Sequence, residues 1–380
     1  MVCDVMIFGL GAVGESGIEV LARTPGINRL IGCDINEKRG MSVIYGARAG
    51  ATHFGLYPDI SFVKADVNDI DYVSDLIAKE RPKVIWSVTT LQSPWVAASD
   101  LQEKHMDDFE KLYFDAGFAP WLPLHVPLTF KLMKAVKQSK VKCHVVGTSY
   151  GDGVHAILAK IGLAPTVGLG NFDHMIPEIR HIVANKLKTA TANIKVFMVA
   201  HHAFINNLAA LHSTRGVPYF LKIVKGDRDV TDIFNLDDLL VQATRHIPSM
   251  DAPGIQYMTG CSGAKHVTAL LRESGTFSHA PGPNGLPGGY PVIISSSGVR
   301  VALPDEISLE DAIRINEEAA KHDGIEKIED DGSVILVKKS VEIMRTMLGY
   351  DLPVFRLEEM EEKAIELKTL YKKFIQRYEK

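Results

Sequence analysis

Through residue 150 the chain alternates short apolar runs with segments of helical period. Val5–Phe8 is apolar throughout, and Val13, Gly17, Val20 and Leu21 then fall on one face of a helix. Leu30–Cys33, Ser61–Ala65, Val84–Val88 and Cys143–Val146 read as further strands. Asp69–Glu80 carries Tyr72, Val73, Leu76 and Ile77 at helical spacing and is stopped by Pro82. Leu128–Val136 reads as another helix. Strands separated by helices at this spacing imply β-α-β units and a parallel sheet.

Beyond residue 150 the rhythm changes. Helical patterns occur at 153–161, 177–187, 236–246 and 308–322, the last opened by the Ser308–Asp311 capping box. Strand-like runs occur at 194–200, 219–224, 291–295 and 299–303. Gly226–Asp229, Ser297-Gly298 and Asp331-Gly332 are expected hairpin turns. The expectation is an α/β protein. Residues 1–150 form a doubly wound Rossmann sheet, and 151–350 form an α+β substrate domain. The amphipathic helix at 357–377, within segment 351–380, completes the first domain. The Pro- and Gly-rich stretch His279–Tyr290 is the expected shaped loop.

Composition narrows the class. At roughly 150 residues per domain, 380 residues suggest two domains. With 46% hydrophobic and 23% charged residues, extensive disorder is excluded. The net charge of 42 − 46 = −4 provides no polycationic surface, so nucleic acid is not an expected partner. No apolar run reaches the ~20 residues of a membrane span. The chain opens on a strand rather than a signal sequence, which predicts a cytoplasmic protein. Cys3, Cys33, Cys143 and Cys261 form no C-x-x-C pair, so reduced thiols are expected rather than zinc or disulfides.

The sharpest signal is Gly9-Leu10-Gly11-Ala12-Val13-Gly14, placed after a strand and opening a helix. Gly9 permits the tight turn, Gly11 the approach of a pyrophosphate, and Gly14 the close contact of helix and strand. The diphosphate would rest on the helix N-terminus, where unpaired N–H groups favour negative charge. Gly9, Gly11, Ala12, Val13 and Gly14 are thus expected to bind a dinucleotide. Asp34, beside Ile35, ends the second strand where a ribose-binding acid belongs. It favours NAD; Lys38 and Arg39 keep NADP as the alternative. Asp66-Val67 is expected at the adenine, and Thr89, Thr90, Leu91 and Gln92 at the nicotinamide ribose, because ligands bind at the carboxyl ends of parallel strands.

These same residues, Phe8–Gly14, Cys33-Asp34, Ala65–Val67 and Thr89-Thr90, resemble the saccharopine dehydrogenase-like family of NAD(P)-dependent oxidoreductases. The resemblance covers roughly residues 1–150. It implies a Rossmann domain with an inserted α+β domain, terminal helices that return to the Rossmann half, and oxidation at a C–N bond of an amino acid or opine-like amine. No motif of that family's substrate site is present in the second region.

Hydride transfer also needs a group that handles the substrate proton, and histidine suits neutral pH. His201-His202 ends a strand, His174 precedes a helix, and Tyr150 and Asp152 follow the fifth strand. Tyr150, His202, His201 and His174 are the catalytic candidates, in a cleft walled in part by Tyr290 and loop 279–291. Lys265-His266 and Arg272 are weaker candidates. Tyr150 has Val154 four residues on, so the Tyr-x-x-x-Lys pair of short-chain dehydrogenases is missing. His174, His201, His202 and Asp173 are metal-ligand types without helical i,i+4 spacing, and no metal is expected. The expected activity is an NAD(P)-dependent dehydrogenase or reductase acting on a small polar substrate at CH–NH or CH–OH. A homodimer or higher homo-oligomer is expected. The alternatives are a lyase or synthase using tightly bound NAD as a transient hydride acceptor, and a non-catalytic NAD-binding protein.

Overall fold

The computed structural model describes residues 3–101, 105–248 and 252–378, with backbone alone at 95, 97 and 98. Its centre is a six-stranded parallel sheet in the order β3-β2-β1-β4-β5-β6. The strands are β1 (Val5–Phe8), β2 (Arg29–Asp34), β3 (Asp59–Lys64), β4 (Val84–Ser87), β5 (His144–Gly147) and β6 (Val167–Gly168). β1 and β4 are buried at every residue, which is why they read as unbroken apolar runs rather than alternating ones. Strand order reverses between β1 and β4, and a crevice opens there at the carboxyl ends.

Small residues bring the helices onto this sheet. A Cβ on Gly14 of helix Ala12–Ala22 would lie 2.0 Å from the Gly9 carbonyl oxygen. Trp86 on β4 fills the space left by Gly17 and Gly263, where added Cβ atoms would come within 2.3 and 2.0 Å of its ring. Helix Pro253–Leu270, which carries Gly263, packs along helix Ala12–Ala22. Only its end, after Lys265-His266, was legible in sequence. Thr259, Gly260, Ser262, Gly263, Ala264 and Val267 are all buried, so it has no one-sided apolar stripe. Of helix Glu37–His53 the sequence suggests only a start at Lys38 and Arg39; Asn36 caps it by accepting from the Arg39 N–H at 3.1 Å. The helix expected at 128–136 starts earlier, at Leu122, and runs to Ser139 with a proline in its first turn.

The parallel sheet continues past residue 150 into β6, and helix Pro253–Leu270 lies on the Rossmann half, so the two regions interleave. The rest of the chain forms three antiparallel sheets. One holds β7 (Ile194–Val199), β8 (Phe220–Lys225) and β9 (Arg228–Asp229). The second holds β10 (Thr276–Pro281), β11 (Gly289–Ser295) and β12 (Gly298–Val301). The third holds β13 (Ile325–Ile328), β14 (Val334–Leu336) and β15 (Val354–Phe355). The expected turns at Gly226–Asp229, Ser297-Gly298 and Asp331-Gly332 all fall at or between paired strands. Helix Met360–Ile375 packs on helix Leu122–Ser139, with Lys131 and Glu361 paired at 2.5 Å.

Loop 279–291 does not wall the cleft. It turns between β10 and β11 over helix Gly151–Lys160, where the His155 ring and the Gly282 carbonyl oxygen are 3.0 Å apart. Tyr290 is fully buried and donates its hydroxyl to the Pro287 carbonyl at 2.8 Å. Its glycines serve close packing, not substrate access. Among the described residues no helix is long and apolar enough to cross a membrane. All four cysteines are free.

Candidate functional site

A cleft of about 1120 Å³ opens over the carboxyl ends of β1, β4 and β5. That exceeds the ~300–1,000 Å³ of an ordinary small-molecule site, leaving room for a dinucleotide and a second molecule. All of the expected cofactor residues line it except Gly14, which is buried between helix and strand.

The glycine loop fits a pyrophosphate. Gly9 has φ +96°, a left-handed backbone that L side chains rarely adopt, and a Cβ there would stand 2.8 Å from the Val88 carbonyl oxygen. A Cβ on Gly11 would meet no protein atom within 4 Å. The fold therefore does not need glycine there for packing; the space it leaves belongs to the cleft. Asp34 accepts from the Leu10 N–H at 2.7 Å and the Asn36 N–H at 2.8 Å, which ties the loop to β2. Arg39 donates to the Leu10 carbonyl at 2.9 Å and reaches Glu15 at 3.3 Å. Its guanidinium is thus bound to the back of the loop. Thr90 donates to the Leu124 carbonyl at 2.8 Å, fixing the turn after β4.

At the other end the cleft reaches Tyr150, Asn171, His174 and His202. His202 opens helix His202–Leu211 directly after β7. Its Nδ1 lies 2.8 Å from Asp323 Oδ2. Asp323 is 1% exposed and saturated with donors: the Phe118 N–H at 3.0 Å, the Tyr150 hydroxyl at 2.6 Å and the His202 ring. Burial alone would raise its pKa, but the His202 ring and these hydrogen bonds lower it to about 2. Burial opposes charge on His202 too, yet the Asp323 carboxylate outweighs it and raises that pKa above the ordinary histidine value. With Nδ1–H donating to Asp323, Nε2 is left with no partner among the described residues and is the atom available to a ligand.

The other candidates divide. Tyr150 reaches the cleft in a left-handed conformation, φ +44°, but its hydroxyl is committed to Asp323. Burial and that carboxylate hold its pKa well above the ordinary tyrosine value. His201 lines no part of the cleft. It is fully buried, and its Nδ1 accepts from the Ala203 N–H at 3.3 Å, so it caps a helix instead. The residue next to a strand end faces the opposite way from its neighbour, and here His202 faces the cleft. His174 lies on the cleft beside Thr259, 3.3 Å away, and burial depresses its pKa to about 4. Lys265 and His266 belong to a buried network around Asp173, with Lys265 donating to it at 2.6 Å. Among the described residues no group of three His, Cys, Asp or Glu side chains gathers to hold a metal ion.

Three residues without a sequence assignment complete the site. Asp323 precedes Gly324, φ +90°, and reads in sequence as an ordinary helix end. Asn171, at φ +55°, lines the cleft and donates its amide to Asp152 Oδ2. His125, also on the cleft, is 2.8 Å from Ser149 Oγ, and burial lowers its pKa to about 3. A non-glycine residue at positive φ was the only local clue available for Asn171, and φ is not visible in sequence.

No family model matches the chain, and no curated protein matches it in sequence. The resemblance to the saccharopine dehydrogenase-like family therefore finds no support. Solved structures do match in fold. Malate dehydrogenase of Cryptosporidium parvum aligns at 11% identity over 84% of this chain and 96% of its own, with a TM-score of 0.58. Lactate dehydrogenase of Eimeria maxima, solved with NADH and oxamate, aligns at 10% identity over 84% and 91%, with a TM-score of 0.57. Malate dehydrogenase of Aeropyrum pernix aligns at 14% identity over 83% and 94%, with a TM-score of 0.56. The chain has the fold of the lactate and malate dehydrogenases.

Proposed function

We propose that this protein is an NAD-dependent dehydrogenase that interconverts a hydroxyl and a carbonyl group. One observation carries the reading. The cleft that begins at an open glycine loop ends at a histidine whose Nδ1 is held by a buried carboxylate. Gly9, Gly11, Ala12 and Val13 would hold the pyrophosphate, and Asp34 the adenosine ribose. NAD is favoured over NADP because Asp34 stands where a 2′-phosphate would lie, while Arg39 is turned to Leu10 and Glu15. When bound, the nicotinamide supplies or accepts the hydride.

The chain's own residues do the rest. His202 Nε2 takes the hydroxyl proton in oxidation and returns it in reduction. Asp323 fixes the tautomer and favours the imidazolium that forms. Tyr150, the Phe118 N–H and the fold around Gly324 hold Asp323 in place. Lactate and malate dehydrogenases, by their names, act on hydroxy acids, and this supports CH–OH rather than CH–NH chemistry here. The test is titration with NADH followed by fluorescence, then a screen of alcohols with NAD. Tight NADH binding and net NADH formation are expected. Absence of NADH binding overturns the reading.

A further inference from the structure

Resting on that reading of the cleft, we infer that Asp152 is a positioning residue for His202. Its carboxylate holds the main chain of the histidine while Asp323 holds the ring, and its charge is a second stabiliser of the imidazolium that forms in oxidation.

The geometry carries the inference. Asp152 stands in the first turn of helix Gly151–Lys160 and is 1% exposed. Its Oδ1 accepts from the His202 backbone N–H at 3.0 Å, and its Oδ2 accepts from Asn171 Nδ2. Asp323 takes the other end of the same residue, 2.8 Å from Nδ1. The Phe118 and Tyr150 rings pack on the imidazole, with centroids at 4.9 and 5.2 Å. Main chain and ring are thus tied to segments that lie 50 residues before and 121 residues after the histidine. A ring held at both points keeps one orientation, and so does its Nε2. Capping of helix His202–Leu211 does not by itself call for this carboxylate. The His201 ring already accepts from the Ala203 N–H at 3.3 Å, and a neutral Asn or Ser accepts a helix N–H as well as Asp does. A buried carboxylate is costly unless an opposite charge beside it repays the lost hydration, and the imidazolium of His202 is such a charge.

The two groups are also linked in charge. Burial raises Asp152 to about 7, with the His202 ring opposing that rise and the Asp323 charge adding to it. Burial lowers His202, and Asp323 first and Asp152 second raise it again. The titratable groups that face this pair do not change charge with it. Burial holds Tyr150 and Tyr290 above the ordinary tyrosine value and drops His201 to about 4 and His125 to about 3. Asp323 stays ionised down to about 2. In the turn that carries Asn171, Asp173 is tied to Lys265 and burial depresses His174 to about 4. Between roughly pH 5 and 9 Asp152 and His202 therefore titrate as one unit, each charge favouring the other.

The test is an NMR titration of the full chain labelled at histidine, with the His202 ring signals assigned by their loss in His202→Ala. In wild type the His202 curve is expected to show two steps. One of them should coincide with a carboxyl step near pH 7 in protein labelled at aspartate. Asp152→Asn keeps an oxygen for the His202 N–H and removes the charge. It is expected to leave a single step with its midpoint lower by roughly one pH unit, the low end for loss of a neighbouring opposite charge, and NADH affinity unchanged. A midpoint equal to that of wild type overturns the inference and leaves Asp152 as a helix cap. If Asp152→Asn does not fold, the wild-type titrations decide: a His202 curve that shares no step with a carboxyl overturns the inference equally. Neither measurement uses turnover. Such a failure with NADH still bound leaves the dehydrogenase reading standing, whereas absence of NADH binding by wild type overturns that reading and with it the catalytic meaning of the pair.

Discussion

The two ends of the cleft are made in opposite ways. The cofactor end is built by backbone: Gly9, Gly11 and Gly14 lie within one strand–turn–helix, and their work is to have no side chain. The catalytic end is built by side chains from distant parts of the chain. His202 and Asp323 are 121 residues apart, and Tyr150 and Asp323 are 173 apart. The first is a local motif that a short peptide sequence encodes. The second exists only when β5, β7 and the turn after helix Leu309–His322 have come together. Tolerance to change should follow the same division.

The largest effect is expected at the assembled end. His202→Ala removes the proton acceptor and should lower turnover by about 10²–10⁴-fold, while NADH affinity, measured by fluorescence titration, stays as in wild type. Equal loss of both would mean that the two ends are not separable. The pH profile should carry the same signature. Oxidation needs neutral His202 and should rise with pH through a midpoint above the ordinary histidine value, because Asp323 raises that group. Reduction should fall through the same midpoint.

Stability should report the pair as well. The folded-state pKa of Asp323, about 2, is below its unfolded value, so its contribution is present above roughly pH 4 and is lost as pH falls toward 2. His202 is raised, so its contribution is present below about pH 6.5 and is lost as pH rises through its folded value. The pair therefore helps most between those limits. Asp323→Asn should cost about 3–5 kcal/mol there, as breaking a buried pair does, and should flatten the acid limb in urea melts. An unchanged limb would show that another group controls it.

At the local end, Gly11→Val should leave the melting temperature unchanged, since a Cβ there meets no protein atom within 4 Å. It should weaken NADH binding on the order of 10–100-fold, matching the ~1–3 kcal/mol of an overpacked contact. Asp34→Ala should be milder, narrowing the NAD-to-NADP affinity ratio by roughly tenfold. A wild type that already prefers NADP would reverse the assignment of the ribose pocket and point to Arg39.

This division also explains what the sequence disclosed. The five strands expected through residue 150 stand within two residues of their observed ends; the fully buried β1 and β4 leave unbroken apolar runs, whereas β3 is mostly half-buried and includes Asp59, Ser61 and Lys64. Every expected cofactor residue except Gly14 lines the cleft, because motif and site are the same segment. His202 was among the catalytic candidates, but no pattern distinguished it from His201, since one peptide step decides which ring is buried. Asp323 gave no signal, because its partners come from Phe118, Tyr150 and His202. Tyr290 was misplaced for a related reason: a loop rich in proline and glycine packs as readily against a helix as around a ligand.

The smallest expected effect separates placement from chemistry at Tyr150. This residue sits at the end of β5, on the cleft, where a tyrosine acid is plausible from sequence. Its hydroxyl, however, donates to Asp323 at 2.6 Å, and burial beside that carboxylate disfavours its ionisation. Tyr150→Phe keeps the ring against Phe118 and His202 and deletes one of the donors that hold Asp323. With the Phe118 N–H and His202 still in place, turnover should fall by less than about tenfold, the share of a single lost hydrogen bond. The Asp323 carboxylate becomes a better acceptor for His202 when it loses a competing donor. The midpoint of the oxidation profile should therefore move to higher pH, with NADH affinity unchanged. A loss as large as that of His202→Ala, without such a shift, would make Tyr150 the proton donor and reduce the histidine to a support.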